Sequence, residues 1–388
     1  MASSAALASA RAVVREPAPA SACPAALSWN ALDTPAAIAE WDALAQNASE
    51  PNPFFSSWYL LPSLRALDPS GQVQLFRFEL AGRLAGLLPL CAEPRYYRWP
   101  FPHVRGWVHA NCFVGAPLVA KGAEHAFWRA LFAHADETAG AALFLHIGQI
   151  PLTGILHDAL HDVLAEQTRH FALVHREDRA MLSSALTPDA YLDAAMSGKK
   201  RKELRRQHLR LSEQGTLAVE RRDDAAGIAD WTRAFLALEA AGWKGQAGSA
   251  LASSPTTTAI FTEALTAAAK RGQLERLALT LDGAPIAMLA SFLAAPGAFS
   301  FKTAFDERYA RFSPGVLLQR ENLAMLTRAG IVWTDSCAAA DHPMIDHIWR
   351  ERRAVGRYSF AIGGPVRRAA FRALAALELA RSPQGVAR

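Results

Sequence analysis

Apolar positions alternate with polar ones in a series of short segments, and recur every three to four residues in the segments between them. Alternation marks half-buried strands, and the longer period marks helices packed along one side. In the second half the pattern predicts a strand at 216–223 and helices at 225–241 and 256–271. "LERLALTLDGAPIAMLASFLA" follows, with Asp282-Gly283 between two apolar-alternating runs, a strong hairpin signal. Residues 298–306 make a third consecutive strand. A helix is predicted from 314 to about 329, with Gly330 as its stop. "IVWTDSCA" reads as a strand, "HPMIDHIWRERR" as a short helix with Pro343 at its first position, and "RYSFAI" as a closing strand.

The first half gives nearly the same list. "AALSWNAL", "VQLFRFEL", "RLAGLLPLCAE", "GWVHANCFVGAPLV", "AALFLHIG" and "HFALVHRE" read as strands, and 35–46, 54–67, 124–138 and 154–166 as helices. The order β-α-α-β-β-β-α-β-α-β therefore occurs twice, at a spacing near half the chain, which predicts an internal duplication. The expected fold class is mixed α/β: two tandem domains, each a mostly antiparallel twisted sheet flanked by helices. The expected division is a disordered tail at 1–25, a first domain at 26–185, a basic linker helix at 186–215, a second domain at 216–365, and a basic C-terminal helix and tail at 366–388.

Composition narrows the classes. The chain of 388 residues is 51% hydrophobic and 20% charged, as expected for a globular protein with sizeable cores. Its net charge of +5 is mild overall but concentrated locally, which points to an anionic ligand rather than wholesale nucleic-acid coating. Abundant Arg and Ala fit a GC-rich bacterial genome. Cys23, Cys91, Cys112 and Cys337 are scattered without a CxxC pair, which argues against a disulfide framework or zinc site and fits a reducing cytoplasm. No stretch approaches the ~20 apolar residues of a membrane span, and the N-terminus lacks the layout of a signal peptide. No Ser-His-Asp order, zinc spacing or Walker loop stands out, and no metal is expected.

Ser313-Pro314-Gly315 carries the first chemical signal. Ser is a preferred N-cap and Pro is favoured at the next position. Gly inside a helix costs roughly 1 kcal/mol against Ala, and that cost asks for a reason. Free N–H groups and the helix dipole make a seat for a phosphate, and a side chain at this point would keep the ligand away. Arg308 and Arg311 stand just upstream to add charge-assisted hydrogen bonds. An ordinary cap followed by a tolerated glycine is the alternative reading. "GWKGQAG" is the second signal, a glycine-flanked loop between two helices presenting Trp243 and Lys244.

"LEAAGWKGQAGSAL", "FKTAFDERYARFSPGVLL" and "DSCAAADHPMIDHIWRERR" resemble the GNAT acyltransferases of the CelD type, associated with cellulose and exopolysaccharide biosynthesis. "MSGKKRKELRRQHLRL", "NPFFSSWYL" and "NCFVGAPLV" share the resemblance, which covers most of the chain from about Trp29. It implies tandem GNAT domains, the second catalytic and the first a degenerate copy that shapes the cleft. It implies acetyl-CoA, or another acyl-CoA, as co-substrate, and an amine or hydroxyl of a sugar or polysaccharide precursor as acceptor. The cofactor-binding residues would be Arg308, Arg311, Phe312, Ser313, Pro314, Gly315 and Val316. Here the usual Q/R-x-x-G-x-G/A signature departs, with its proline and glycine displaced by one. Trp243, Lys244, Lys302 and Asp306 would contact the substrate.

Acyl transfer to an amine needs a base, with Glu239 and Asp335 as candidates beside His342, Asp341 and Asp306. Tyr309 is a candidate acid for the departing thiolate, or lines the coenzyme path. A backbone N–H of the fourth strand would meet the oxyanion. Direct attack is expected, since Cys337 is the one nearby candidate for an acyl-enzyme. Two rivals stay open: a Fem-type aminoacyl-tRNA transferase, favoured by the basic linker, and a non-catalytic component of a polysaccharide system. tRNA is the nucleic acid expected, under the first rival. A cytoplasmic location is expected, with peripheral contact at the inner membrane or with a biosynthetic complex left open.

Overall fold

The computed structural model describes residues 22–381 and 386–387. Residues 1–21 of the expected tail lie outside the described residues, while Ala22 already opens the first strand. In the first half the order is β1 (Ala22–Ser28), α1 (Pro35–Gln46), α2 (Ser57–Leu67), β2 (Gln74–Leu80), β3 (Arg83–Glu93), β4 (His103–Gly106), β5 (Leu118–Val119), α3 (Glu124–Glu137), β6 (Phe144–Pro151), α4 (Ile155–Glu166) and β7 (Phe171–Leu182). Two helices follow, α5 (Pro188–Ala195) and α6 (Gly198–Ser212). The second half contains β8 (Leu217–Arg222), α7 (Ile228–Ala241), α8 (Trp243–Gln246), α9 (Pro255–Lys270), β9 (Leu274–Leu281), β10 (Ala284–Ala294), β11 (Gly297–Phe305), α10 (Pro314–Asn322), β12 (Trp333–Asp335), β13 (Glu351–Ala361) and α11 (Pro365–Arg381).

The strands form one mixed, mostly antiparallel sheet in the order β1-β2-β3-β4-β6-β13-β7-β12-β11-β10-β9-β8. This order is a palindrome of the two halves with one exchange. The last strand of each half crosses over: β13 lies between β6 and β7, and β7 lies between β13 and β12. The boundary expected between residues 185 and 216 therefore separates elements that stay joined in a continuous sheet. The halves also share a core. Phe54, buried completely in the turn Pro53–Phe55, meets Phe292 and Phe299 of the second half edge-on at 6.1 and 5.9 Å. Burying one such ring contributes roughly 1.5–3 kcal/mol.

Several local expectations hold. The Asp282-Gly283 turn joins β9 to β10 with both residues at positive φ, +50° and +77°. Such a two-residue turn matches the twist of its flanking strands.

Others are corrected. "GWVHANCFVGAPLV" is not a strand between Gly106 and Leu118. Its carbonyls are taken by side chains instead: Asn52 donates to Val114 and Ala116, and Arg179 donates to Phe113. The single linker helix is two helices, because Met196 is extended and Ser197 starts α6 by accepting the Lys200 N–H. "HPMIDHIW" is a run of turns rather than a helix. The residues of "AALSWNAL" beyond Ser28 make a 3-10 turn, Trp29–Leu32.

Candidate active site

β11 is built to open. Along one edge it pairs with β10, but the register slips so that Lys302 faces Ala290, Ser300 faces Ser291, and Phe301 has no partner. A bulge of this kind bends the strand and raises its twist. Along the other edge β12 is parallel and only three residues long, meeting Gly297, Ala298 and Phe299. The chain then turns toward β7, where the Ser336 N–H donates to Ala180, and Cys337 takes φ +52°. From residue 300 to 305 that edge of β11 has no strand beside it among the described residues. A cleft of about 590 Å³ fills the gap.

The residues of α7 and α8 form one wall. Glu239 is buried at the end of α7; it accepts the Lys244 ammonium at 2.7 Å and the Leu251 N–H at 2.8 Å. Lys244 also reaches the Thr303 carbonyl at 3.4 Å. This tight return requires Gly245, where a Cβ would lie 1.8 Å from the Ala240 carbonyl oxygen. Trp243 stands on the rim, 57% exposed, with its N–H held by Glu307 at 2.6 Å.

Lys302 projects from the bulged strand between the rings of Phe113 and Phe301, at 5.2 and 5.5 Å. Burial first, and then the charge of Lys244, push its ammonium down to about 8. His342 also lines the cleft. Burial pushes its imidazole below the usual histidine range, and its Nδ1 is buried without a hydrogen-bond partner among the described residues. Cys337 also faces the cleft. Burial and the nearby Asp335 hold its thiol far above the ordinary range, so it carries little thiolate.

The structure gathers Glu239, Trp243, Lys244, Lys302, Cys337 and His342 around the cleft and leaves Asp306, Arg308, Tyr309, Arg311, Phe312, Ser313, Pro314, Gly315, Val316, Asp335 and Asp341 outside its walls. Asp335 is fully buried behind it, accepting from Arg179 at 2.7 Å, Arg353 at 2.9 Å and the Cys337 N–H at 2.9 Å. Burial raises its carboxyl, but the two arginines more than offset this and hold it below the usual range. Asp306 caps the turn Glu307–Phe312 through the Arg308 N–H and pairs with the Arg308 guanidinium at 2.6 Å. Tyr309 packs on the apolar cluster beneath that turn, and Phe312 is buried in it. Arg311 lies over the Phe312 ring at 4.6 Å.

Ser313 stands at the N-cap of α10 but makes no side-chain cap; it lies at φ +54° and offers its carbonyl to Val316 and Leu317 instead. Pro314 and Gly315 are buried. A Cβ on Gly315 would come within 2.5 Å of the Met344 sulfur and 3.4 Å of the Phe305 ring. The glycine thus answers to Met344, which lies across the start of α10 and also lines the cleft.

Sequence reasoning missed Phe113, Glu307, Met344 and His109. Burial and the charge on Lys302 push His109 down to about 4. The irregular stretch after β4 brings Phe113 and His109 to the second half. The apolar alternation of that stretch conceals this, because the signal of a strand and the signal of a buried crossing loop coincide there.

Residues 198–342 match the acetyltransferase (GNAT) domain family. The matched segment runs from α6 through β11, α10 and β12 to His342, and so contains most of the cleft. Among solved structures the whole chain is similar to FemX, with TM-score 0.53 at 10% identity over 86% of this chain and 98% of that one. It is similar to the C-terminal domain of a putative lysylphosphatidylglycerol synthetase from Agrobacterium fabrum, with TM-score 0.51 at 14% identity over 88% and 96%. A conserved protein of unknown function from Bacteroides thetaiotaomicron gives TM-score 0.51 at 12% identity over 84% and 97%. These likenesses show the fold. No curated protein sequence matches the chain.

Proposed function

We propose that the chain is an acyl-CoA-dependent acyltransferase, and that the cleft beside β11 is where it moves an acyl group, acetyl in the simplest case, onto an amine of a sugar or polysaccharide precursor. The observation that carries this reading is the unpaired 300–305 edge of β11 opening into a cleft with Lys302 and His342. Coenzyme A supplies an activated acyl thioester when bound. The free N–H groups of the β11 edge are placed to donate to the carbonyl oxygen as negative charge develops on it. Gly315 and Val316, at the start of α10, would hold the diphosphate once the Met344 side chain swings aside, with Arg308 and Arg311 at its margin.

His342 and Lys302 divide the proton work. The imidazole is neutral at pH 7, so it takes the proton from the acceptor ammonium and frees the amine lone pair. The amine then forms its bond to the acyl carbon as the carbon–sulfur bond breaks. Lys302, charged below pH 8, gives a proton to the departing sulfur and takes back the second proton that the amide nitrogen sheds. Two groups whose surroundings push their pKa values apart make such an acid and base pair. Glu239 holds Lys244 and the α8 loop in place, and exposed Trp243 offers a flat face to a sugar ring. Cys337, kept protonated, favours direct attack over an acyl-enzyme.

A second reading, transfer from aminoacyl-tRNA, draws on α6. Lys199, Lys200, Lys202, Arg205 and Arg210 are exposed on it, and the helix packs beside the turn Glu307–Phe312. Thermal unfolding in the presence of acetyl-CoA, free CoA or charged tRNA separates the two. A ligand at 100 times its Kd stabilises by ~2.7 kcal/mol. Stabilisation by acetyl-CoA, with thiol release on adding amino sugars, is the expected result. Stabilisation by charged tRNA alone would establish the second reading, and acetyl-CoA binding with no thiol release on any acceptor would mark a non-catalytic protein.

A further inference from the structure

Outside the cleft, α4 carries His157 and His161 in the sequence His-Asp-Ala-Leu-His. Residues four apart lie on the same helix face. Both rings turn toward Tyr358 of β13, the strand that the second half lends to the first. The His157 Nε2 is 3.0 Å and the His161 Nε2 3.1 Å from the Tyr358 hydroxyl oxygen, and the two nitrogens are 3.2 Å apart. Three polar atoms thus form a nearly equilateral triangle. Hydrogen bonds account for two of its edges, the Tyr358 hydroxyl donating to one Nε2 and the other Nε2–H donating to the Tyr358 oxygen. The imidazole–imidazole edge at 3.2 Å is then left without a proton of its own.

A metal ion accounts for all three edges at once. At bond lengths of about 2.0–2.1 Å, ligand atoms lie about 2.9 Å apart in octahedral and about 3.3 Å apart in tetrahedral geometry. The observed edges fall within that span. We propose that His157, His161 and Tyr358 bind one divalent first-row transition metal ion of the imidazole-preferring kind, Zn²⁺ or Co²⁺, with solvent completing its coordination. The phenol gives up its proton to solvent as the oxygen takes the metal. Tyr358 is buried, but both histidines are only half-buried, so the ion has a way in. The Asp158 carboxylate stands 3.8 Å from the His157 Nδ1, on the side where metal-binding histidines commonly meet a carboxylate. Because α4 belongs to one half and β13 to the other, the ion would staple the exchanged strand in place without touching the cleft.

The test uses the full chain without an affinity tag, stripped by chelator and titrated with Co²⁺ while its visible spectrum is followed. One equivalent is expected to bind and to be displaced by Zn²⁺, and Zn²⁺ should raise Tm. His157→Ala should weaken binding roughly a hundredfold, and Tyr358→Phe roughly tenfold with a changed spectrum. Circular dichroism checks the fold of each variant. If His157→Ala does not fold, His157→Gln removes the ring nitrogen while keeping a polar group. Absence of saturable binding, or equal binding by wild type and variants, overturns the proposal.

Discussion

Lys302 sits between two aromatic rings with its charge raised in free energy by burial, and no carboxylate salt bridge forms to it among the described residues. Burial thus brings the titration of its ammonium down to about 8. Under the proposed chemistry, kcat/KM should fall as pH rises through about 8, where Lys302 loses its proton. Lys302→Arg should remove that alkaline limb, because a guanidinium stays charged. Lys302→Met should cost ~10²–10⁴-fold below pH 8, with the difference from wild type narrowing above it. An alkaline limb that persists in Lys302→Arg assigns the titration to another group.

Asp335 has a different expected signature. Its partners are Arg179 on β7 and Arg353 on β13, the two exchanged strands. Removing one member of a buried ion pair costs ~3–5 kcal/mol, so Asp335→Asn should lower the urea midpoint accordingly. Its folded pKa is depressed. The stabilisation is thus complete above the unfolded carboxylate value of ~3.9 and is lost as pH falls through the lower folded value. A variant with unchanged stability but no activity would restore Asp335 as a base candidate. The sequence shows Asp335 at a strand end, where catalytic groups often lie. The arginines that occupy it are 156 and 18 residues away, beyond the reach of any local pattern.

At the scale of elements, α10 was legible as a helix starting at Pro314, since proline and apolar spacing both mark it. The reason for Gly315 was not, because Met344 reaches it from a distant run of turns. Gly315→Ala should displace the flexible Met344 side chain, leave the fold intact and weaken acyl-CoA binding by roughly tenfold or more. Isothermal titration of the single variant checks this, and Gly315→Ala with Met344→Ala should stay weakened, because the added Cβ itself stands where the diphosphate approaches. Unchanged affinity in the single variant would move the phosphate site away from α10. The hairpin at Asp282-Gly283 and the helices α1, α7 and α9 were readable for the same local reasons, turn chemistry and one-sided apolar spacing. The stretch 107–117 was not, since its carbonyls are satisfied by Asn52 and Arg179 from elsewhere.

At the scale of the molecule, the repeated element order foretold the duplication but not the exchange of β7 and β13. Alternation states which face of a strand is buried; it does not name the neighbouring strand. The exchange gives the sheet two related openings beside parallel pairs, β11/β12 and β4/β6. The second is lined by Arg95, Arg105 and Arg357 against the one carboxylate of Glu93, and so also carries a positive excess. Amide hydrogen exchange with and without acetyl-CoA distinguishes the two openings most directly. Slowed exchange is expected at residues 300–305 of β11 and at the start of α10. Protection confined to residues 103–106 and 144–151, or no protection at β11 under saturating acetyl-CoA, would contradict it.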